Sequence, residues 1–322
     1  MRKKKIINTL LVCAFVLAVG FVYMKNKDPK DEPVSNVVYD QPSGSYKEVV
    51  YQDNSGLLIP VNIELTESGQ LEKDVMDILY KMKESPSSLP NLSPVLSSDL
   101  QVNSTSLNDK LLTIDFNSAL LNLSKEESLK FIEALTWTLC DYNGIEKLHF
   151  TSDGNEITNL PDSYISLSAN YGHNLGLNNF ETVNAYLHKT SALVVYGNKQ
   201  IDGQDFYVPV TKRIDTSDLS VQDKVSILLS QNSISSLISE NKAFENLKVL
   251  DGTRIEDGRL IVNLSDGALL DEMSLNPQVT DMLLLSLRQI DGVETISFEV
   301  NGEAIGKDEI VSKNVVYNVV KM

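Results

Sequence analysis

One passage of this chain is written twice. Trp137–Ile157 reads WTLCDYNGIEKLHFTSDGNEI, and Leu285–Ile305 reads LSLRQIDGVETISFEVNGEAI. With no gap, Leu139 falls on Leu287, Gly144 on Gly292, Phe150 on Phe298 and Gly154 on Gly302. The match continues upstream. Ile59-Pro60-Val61 answers Val208-Pro209-Val210, and Thr113-Ile114-Asp115-Phe116 answers Ile261-Val262-Asn263-Leu264. Self-similarity on this scale predicts a duplicated supersecondary unit. The copies share apolar positions and turn glycines. They share no cluster of catalytic residue types.

Each copy opens with a hairpin. In the first, Lys47–Tyr51 leads through Asp53-Asn54-Ser55-Gly56 into Leu57–Leu65. In the second, Ala192–Tyr196 leads through Gly197-Asn198-Lys199 and Asp202-Gly203 into Phe206–Arg213. A helix comes next. Leu71, Val75, Ile78, Leu79 and Met82 lie on one helical face, and Leu219, Val225, Leu228 and Leu229 outline its counterpart behind Asp218 as N-cap. A second hairpin turns at Asn108-Asp109 in one copy and at Asp257-Gly258 in the other. The second helix starts from a Ser124/Glu127 capping box in copy one and at Pro277 in copy two. Its buried stripe is Leu129, Ile132, Leu135 and Leu139, answered by Val279, Met282, Leu283, Leu287 and Ile290. Gly144 and Gly292 end these helices, and a last strand and tight turn close each copy.

The order ββαββαββ, twice, implies an α+β fold: two similar domains, each a small, mostly antiparallel sheet with two helices on one face. The segmentation reads as cytoplasmic tip and anchor 1–24, linker 25–46, first domain 47–160, connector 161–190 and second domain 191–322. About five large apolar side chains per helix contribute on the order of 10 kcal/mol before chain entropy is counted. Each copy is therefore expected to fold alone.

Ile6–Met24 carries no charge and comes directly after Arg2, Lys3, Lys4 and Lys5. As a helix it spans ~28 Å, about the thickness of a bilayer core, and the basic cluster places the N-terminus in the cytoplasm. A cleaved signal peptide is the rival reading, with Ala18-Val19-Gly20 as its nearest cleavage motif. Pro29, Pro33, Pro42, Ser35, Ser43 and Gly44 then mark a linker that lifts the domains off the membrane.

Formal net charge is −16, which disfavours nucleic acid and anionic lipid as partners. Cys13 lies in the apolar run and Cys140 in a helix, so no internal disulfide is expected. The three histidines, His149, His173 and His188, form no metal-ligand spacing, and there is no phosphate-binding glycine loop. Catalytic residues, cofactor ligands and metal ligands are all expected to be none. The one acid at a shared strand end, Asp115, becomes Asn263 in the other copy. Trp137, the sole tryptophan, is expected in the core or as an interface anchor.

Leu112-Thr113-Ile114-Asp115-Phe116-Asn117-Ser118, then a helix, then Thr138-Leu139 and the Gly144-Ile145, Lys147-Leu148, Phe150 and Gly154 pattern resemble the GerMN domain. The resemblance covers nearly the whole chain beyond residue 50, in two tandem copies. Copy two departs from it at Ser265-Asp266-Gly267, where one extra residue enters the bend. The resemblance implies a non-enzymatic, membrane-anchored assembly factor of sporulation in endospore-forming Firmicutes. Its repeated domains would support a channel-like complex between mother cell and forespore through protein–protein contacts. Implied partners are envelope proteins of that complex and the membrane itself through residues 6–24, with self-association open. The domains would face the space between the two cells. Family members are often lipoproteins, whereas Val12 precedes Cys13 here and the apolar run continues past it, which leaves the mode of anchoring open. A cell-wall or small-molecule binding module and a peptidoglycan-active enzyme are the competing readings.

Overall fold

A computed structural model describes residues 45–140, 142–160, 166–167, 170–179, 190–214, 220–229, 247–271, 274–290, 292–310 and 316–320. The expected membrane segment 6–24, residues 25–44 of its linker and His188 lie outside these residues, and the first strand already begins at Tyr46, the linker's expected last residue. No helix among the described residues is long and apolar enough to cross a membrane.

The first copy runs β1 (Tyr46–Asp53), β2 (Leu58–Glu64), α1 (Leu71–Lys81), β3 (Leu92–Pro94), β4 (Val102–Asn108), β5 (Leu111–Phe116), α2 (Lys125–Leu139), β6 (Lys147–Ser152) and β7 (Asn155–Glu156). The second runs β8 (Ser191–Ile201), β9 (Gln204–Ile214), α3 (Val221–Leu229), β10 (Arg254–Glu256), β11 (Arg259–Leu264), β12 (Leu269–Asp271), β13 (Ser274–Leu275), α4 (Pro277–Leu287), β14 (Thr295–Val300) and β15 (Glu303–Ile310). A last short strand, β16 (Val319–Val320), closes the chain's tail. The expected ββαββαββ order recurs in both copies, with β3 added after the first helix of copy one and β12 and β13 added before the second helix of copy two.

The duplication is visible in the register. β5 pairs with β6 in parallel and sets Ile114 beside Phe150; β11 pairs with β14 in parallel and sets Val262 beside Phe298. A helical crossover returns the chain to the same end of the sheet, which is why these pairs are parallel. Gly144 (φ +84°) and Gly292 (φ +79°) take the same left-handed turn before β6 and β14. The next residues then dock alike: Glu146 N donates to Lys110 O at 2.9 Å, and Glu294 N to Gly258 O at 2.7 Å.

The single sheet per copy needs correction. β4-β5-β6-β7 form one mixed sheet, while β1 and β2 belong to a second, ordered β16-β2-β1-β3. In copy two, β10-β11-β14-β15 form the mixed sheet and β8–β9 a separate hairpin. The helices do not both cover one face. From Phe131 to Leu139 every residue of α2 is buried. Phe131 packs edge-on against Phe116 and tilted against Phe150 of the mixed sheet, with ring centroids 5.4 and 5.3 Å apart. On its far side, Trp137 Nε1 donates to Glu48 of β1. A helix buried all round is a core element, and α4 repeats this with Met282–Leu287 buried.

Three local expectations also shift. The tight turn of the second hairpin in copy one is Asp109-Lys110, both at positive φ. β8 runs through Gly197-Asn198-Lys199 and turns only at Asp202-Gly203. The capping box of α3 is built from Ser220 and Asp223; the expected Asp218 lies outside the described residues. The capping box of Ser124 and Glu127 forms as expected.

Nor is each copy closed upon itself. All the described residues belong to one compact unit. β16, the tail of the second copy, pairs in parallel with β2 of the first, Val319 beside Asn62 and Val320 beside Ile63. The buried side chains of both copies form one continuous cluster.

Candidate functional site

The residues of catalytic type fall into structural ties. Asp115 Oδ1 accepts from Gly154 N at 2.8 Å and from Thr151 Oγ1 at 2.6 Å, and its Oδ2 accepts from Asn103 Nδ2 at 2.9 Å. Burial alone would raise its pKa, but these donors outweigh it and hold the carboxyl below the usual range. Asn263 occupies the same place: its Oδ1 accepts from Gly302 N at 2.9 Å. Both side chains therefore fasten the β6–β7 or β14–β15 turn to the neighbouring strand. His149 is bracketed by Asn170 Oδ1 at 3.0 Å and Glu156 Oε1 at 3.1 Å. Cys140 is buried and unbridged. Among the described residues no three His, Cys, Asp or Glu side chains gather as metal ligands.

What the fold builds with greatest care is the junction between the repeats. β2 and β9 lie side by side without ladder hydrogen bonds, and each carries a proline, Pro60 or Pro209, which has no N–H to offer. Two asparagines bridge them. Asn178, in the connector, accepts from Leu58 N at 2.8 Å and donates to Leu58 O and Pro209 O, both at 2.8 Å. Asn318, in the tail, accepts from Tyr207 N at 2.8 Å and donates to Tyr207 O at 2.8 Å and Pro60 O at 2.7 Å. Both are buried, and both adopt positive φ, which asparagine tolerates better than most residues.

The neighbouring contacts repeat the same exchange. Thr211 N donates to Leu177 O at 2.9 Å, and Asn62 N to Asn318 O at 3.0 Å. The segment that trails each copy thus packs on the first hairpin of the other. At the hairpin tips Lys199 pairs with the buried Asp53. Burial opposes the Asp53 charge, but Lys199, Ser55 and the Leu57 amide outweigh it and lower its pKa.

Each second helix contributes a buried acid at matching places, Glu133 on α2 and Asp281 on α4. Glu133 accepts from Asn178 N and Asn179 N at 3.1 Å and from Asn179 Nδ2 at 2.8 Å. Burial pushes it up to about 7, against the pull of those donors and of Arg213. Asp281 accepts from Tyr207 Oη at 2.7 Å.

Beside this clasp opens a cleft of about 480 Å³, bounded by α2, the connector, β8 and α4. Its inner wall includes Trp137, Tyr196 and Leu285, all buried. His173 stacks on Trp137 with ring centroids 4.3 Å apart. Arg288, Arg213 and Lys147 also line it, and its described lining holds no carboxylate. The Arg288 guanidinium sits 5.7 Å from the Tyr196 ring centroid and 5.6 Å from that of Tyr317. Burial opposes its charge; the Tyr196 and Tyr317 hydroxyls and Glu48 outweigh that and raise its pKa.

Sequence reading placed no site residue here. Asn178 sits in a polar connector and Asn318 in a short tail, and neither belongs to an aligned pair of motifs. The usable signal was the repeated proline in β2 and β9, which lacks a backbone donor and marks an edge or bulge position.

The profile of one protein family, Germane, described as "Sporulation and spore germination", matches residues 24–158 and 194–306. The spore germination protein GerM of Bacillus subtilis (strain 168) is 26% identical over 299 residues, covering 89% of this chain and 79% of that protein. The solved structure of the tandem GerMN domains of the sporulation protein GerM from Bacillus subtilis superimposes with a TM-score of 0.67 at 23% identity. It covers 84% of this chain and 98% of that one, and it establishes the fold: two tandem GerMN-like domains.

Proposed function

The chain belongs to the Germane family of sporulation and spore germination, and from that membership we propose that it is a membrane-anchored assembly factor rather than an enzyme. Residues 6–24 hold it in the membrane, and the paired repeats stand in the space between mother cell and forespore. There they support a trans-envelope complex by contact with envelope proteins.

The observation that carries this reading is the use made of the paired polar residues. Asp115 with Asn263 and Glu133 with Asp281 are engaged in holding turns and neighbouring elements. What remains for function is surface. Met76 and Tyr80 project one turn apart from α1, 38% and 62% exposed, and Leu121 is 46% exposed. Large exposed apolar side chains suit a protein partner.

The test is deletion in a spore-forming host, then complementation with wild type and with a Met76→Glu/Tyr80→Glu double variant. Collapse of engulfed forespores in the deletion strain, rescued by wild type and not by a stably expressed double variant, is the expected result. A normal spore yield without the gene overturns the proposal. A second reading, a small-molecule or cell-wall binding module, draws on the cleft between the repeats.

A further inference from the structure

The cleft between the repeats concentrates positive charge in a chain whose net charge is −16. Arg288 is the informative residue. Among the described residues one hydrogen bond engages its guanidinium, from Nη2 to Tyr196 Oη at 3.1 Å, out of five N–H donors. No carboxylate of the described residues lies within 4.0 Å of it in an ion pair. Glu48 acts on it from farther away and is itself engaged, accepting from Trp137 Nε1 and, at 3.5 Å, from Asn62 Nδ2. Arg213 is different. Its Nε and Nη2 are spent on Asn179 Oδ1 and Leu175 O, so it lends charge more than free donors. Lys147 stands exposed at the rim. A guanidinium resting beside a pair of tyrosines, with donors left over in the wall of a cleft, is arranged to receive a planar anion.

The shape of the wall narrows the class. An extended peptide would add along the free edge of β8, but that edge is occupied: the Gln289 side chain accepts from Val194 N at 2.7 Å and donates to Val194 O at 2.5 Å, and Ser286 Oγ accepts from Tyr196 N at 3.0 Å. Strand addition is therefore blocked. The volume suits a compact ligand. The half-buried His173 ring, stacked on Trp137, offers the cleft a flat group for an apolar or ring-shaped body.

We propose that the junction cleft binds a compact organic carboxylate with a ring or acyl body, its carboxylate received by Arg288 and steered by Arg213 and Lys147. Because both repeats and the connector line the cleft, such a ligand would bridge them. The proposal develops the binding-module reading and stands apart from the assembly role, so the loss of one leaves the other in place.

The chain carries its own reporter, since Trp137 is the sole tryptophan and lies in the cleft wall. The full chain would be titrated with a di-uronic acid, with N-acetylglutamate, with the neutral disaccharide cellobiose and with inorganic phosphate, monitoring Trp137 fluorescence. The expected result is a saturable change with at least one carboxylate and none with cellobiose. The di-uronic acid and N-acetylglutamate arms distinguish a sugar acid from an amino-acid-derived source. Arg288→Met should weaken binding by roughly 10-fold or more, the scale of a lost charge-assisted hydrogen bond. Lys147→Glu changes an exposed side chain, so the fold is spared; it should weaken binding about 3-fold in low salt and by less as salt rises. The proposal is overturned by silence of both carboxylates up to ~10 mM, well beyond the range of specific sites. Equal response to cellobiose, response to phosphate alone, or wild-type affinity in the Lys147→Glu variant would overturn it equally.

Discussion

Asn178 and Asn318 make the same three hydrogen bonds in opposite directions across the junction of the repeats. Each closes a pair with one residue of one strand, Leu58 or Tyr207, and donates its spare N–H to the proline carbonyl of the other, Pro209 or Pro60. The pseudo-symmetry is one of tails. The connector trailing the first copy fastens the second, and the tail trailing the second copy fastens the first.

Asn318→Leu keeps the volume and removes all three bonds, leaving buried donors and acceptors on Tyr207 and Pro60 unmet. Stability should fall by about 3 kcal/mol. Because the tail also carries β16, the urea transition should broaden as the copies uncouple. Melts monitored by Trp137 fluorescence, which reports near the junction, and by far-ultraviolet circular dichroism check this. Coincident, unshifted transitions would contradict it.

The two copies supply a control for Asp115. Its counterpart Asn263 does the same work with an amide oxygen, accepting from Gly302 N. Asp115→Asn should therefore change stability by less than about 1 kcal/mol, whereas Asp115→Ala should cost about 2 kcal/mol by freeing the Gly154 amide, Thr151 and Asn103. Chemical denaturation of both variants decides. A large loss in Asp115→Asn would mean that the charge itself matters.

Lys110 holds φ +66° at the turn place where the other copy has Gly258, at φ +78°. Its ion pair with Glu146 is exposed on both sides and carries little weight. Lys110→Gly should raise stability by roughly 0.5–1 kcal/mol, since relief of the left-handed penalty exceeds the added freedom of the unfolded chain. A thermal melt suffices to see the sign.

Glu133 should make stability depend on pH. Its pKa rises from the usual 4.5 to about 7 through burial. The folded chain then binds this proton more tightly than the unfolded chain does. Its stabilising contribution is complete below about pH 4.5 and is lost as the pH climbs through 7, a swing of about 3 kcal/mol. Glu133→Gln should flatten that part of the profile. Urea melts of both proteins at pH 5 and pH 8 test the difference.

The local units are legible in the chain, because each is written in adjacent residues. Gly144 and Gly292 fixed the chain reversals, the capping box of Ser124 and Glu127 fixed the start of α2, and the apolar spacing fixed the strands and helices. Burial of α2 on every side was not written there, since Glu133, Thr136 and Thr138 interrupt the apolar residues of its second half and mimic a solvent-facing side.

How the copies meet is set by the folded arrangement alone. Asn178, Asn318, Glu133 and Arg288 are ordinary polar residues along the chain. Their roles arise from partners far away in sequence, Leu58, Tyr207, Asn179 and Tyr196 among them. A side-chain amide or guanidinium carries no periodic signature. Its meaning comes from burial and from which donors and acceptors face it, and the closing of the two tails across β2 and β9 settles both.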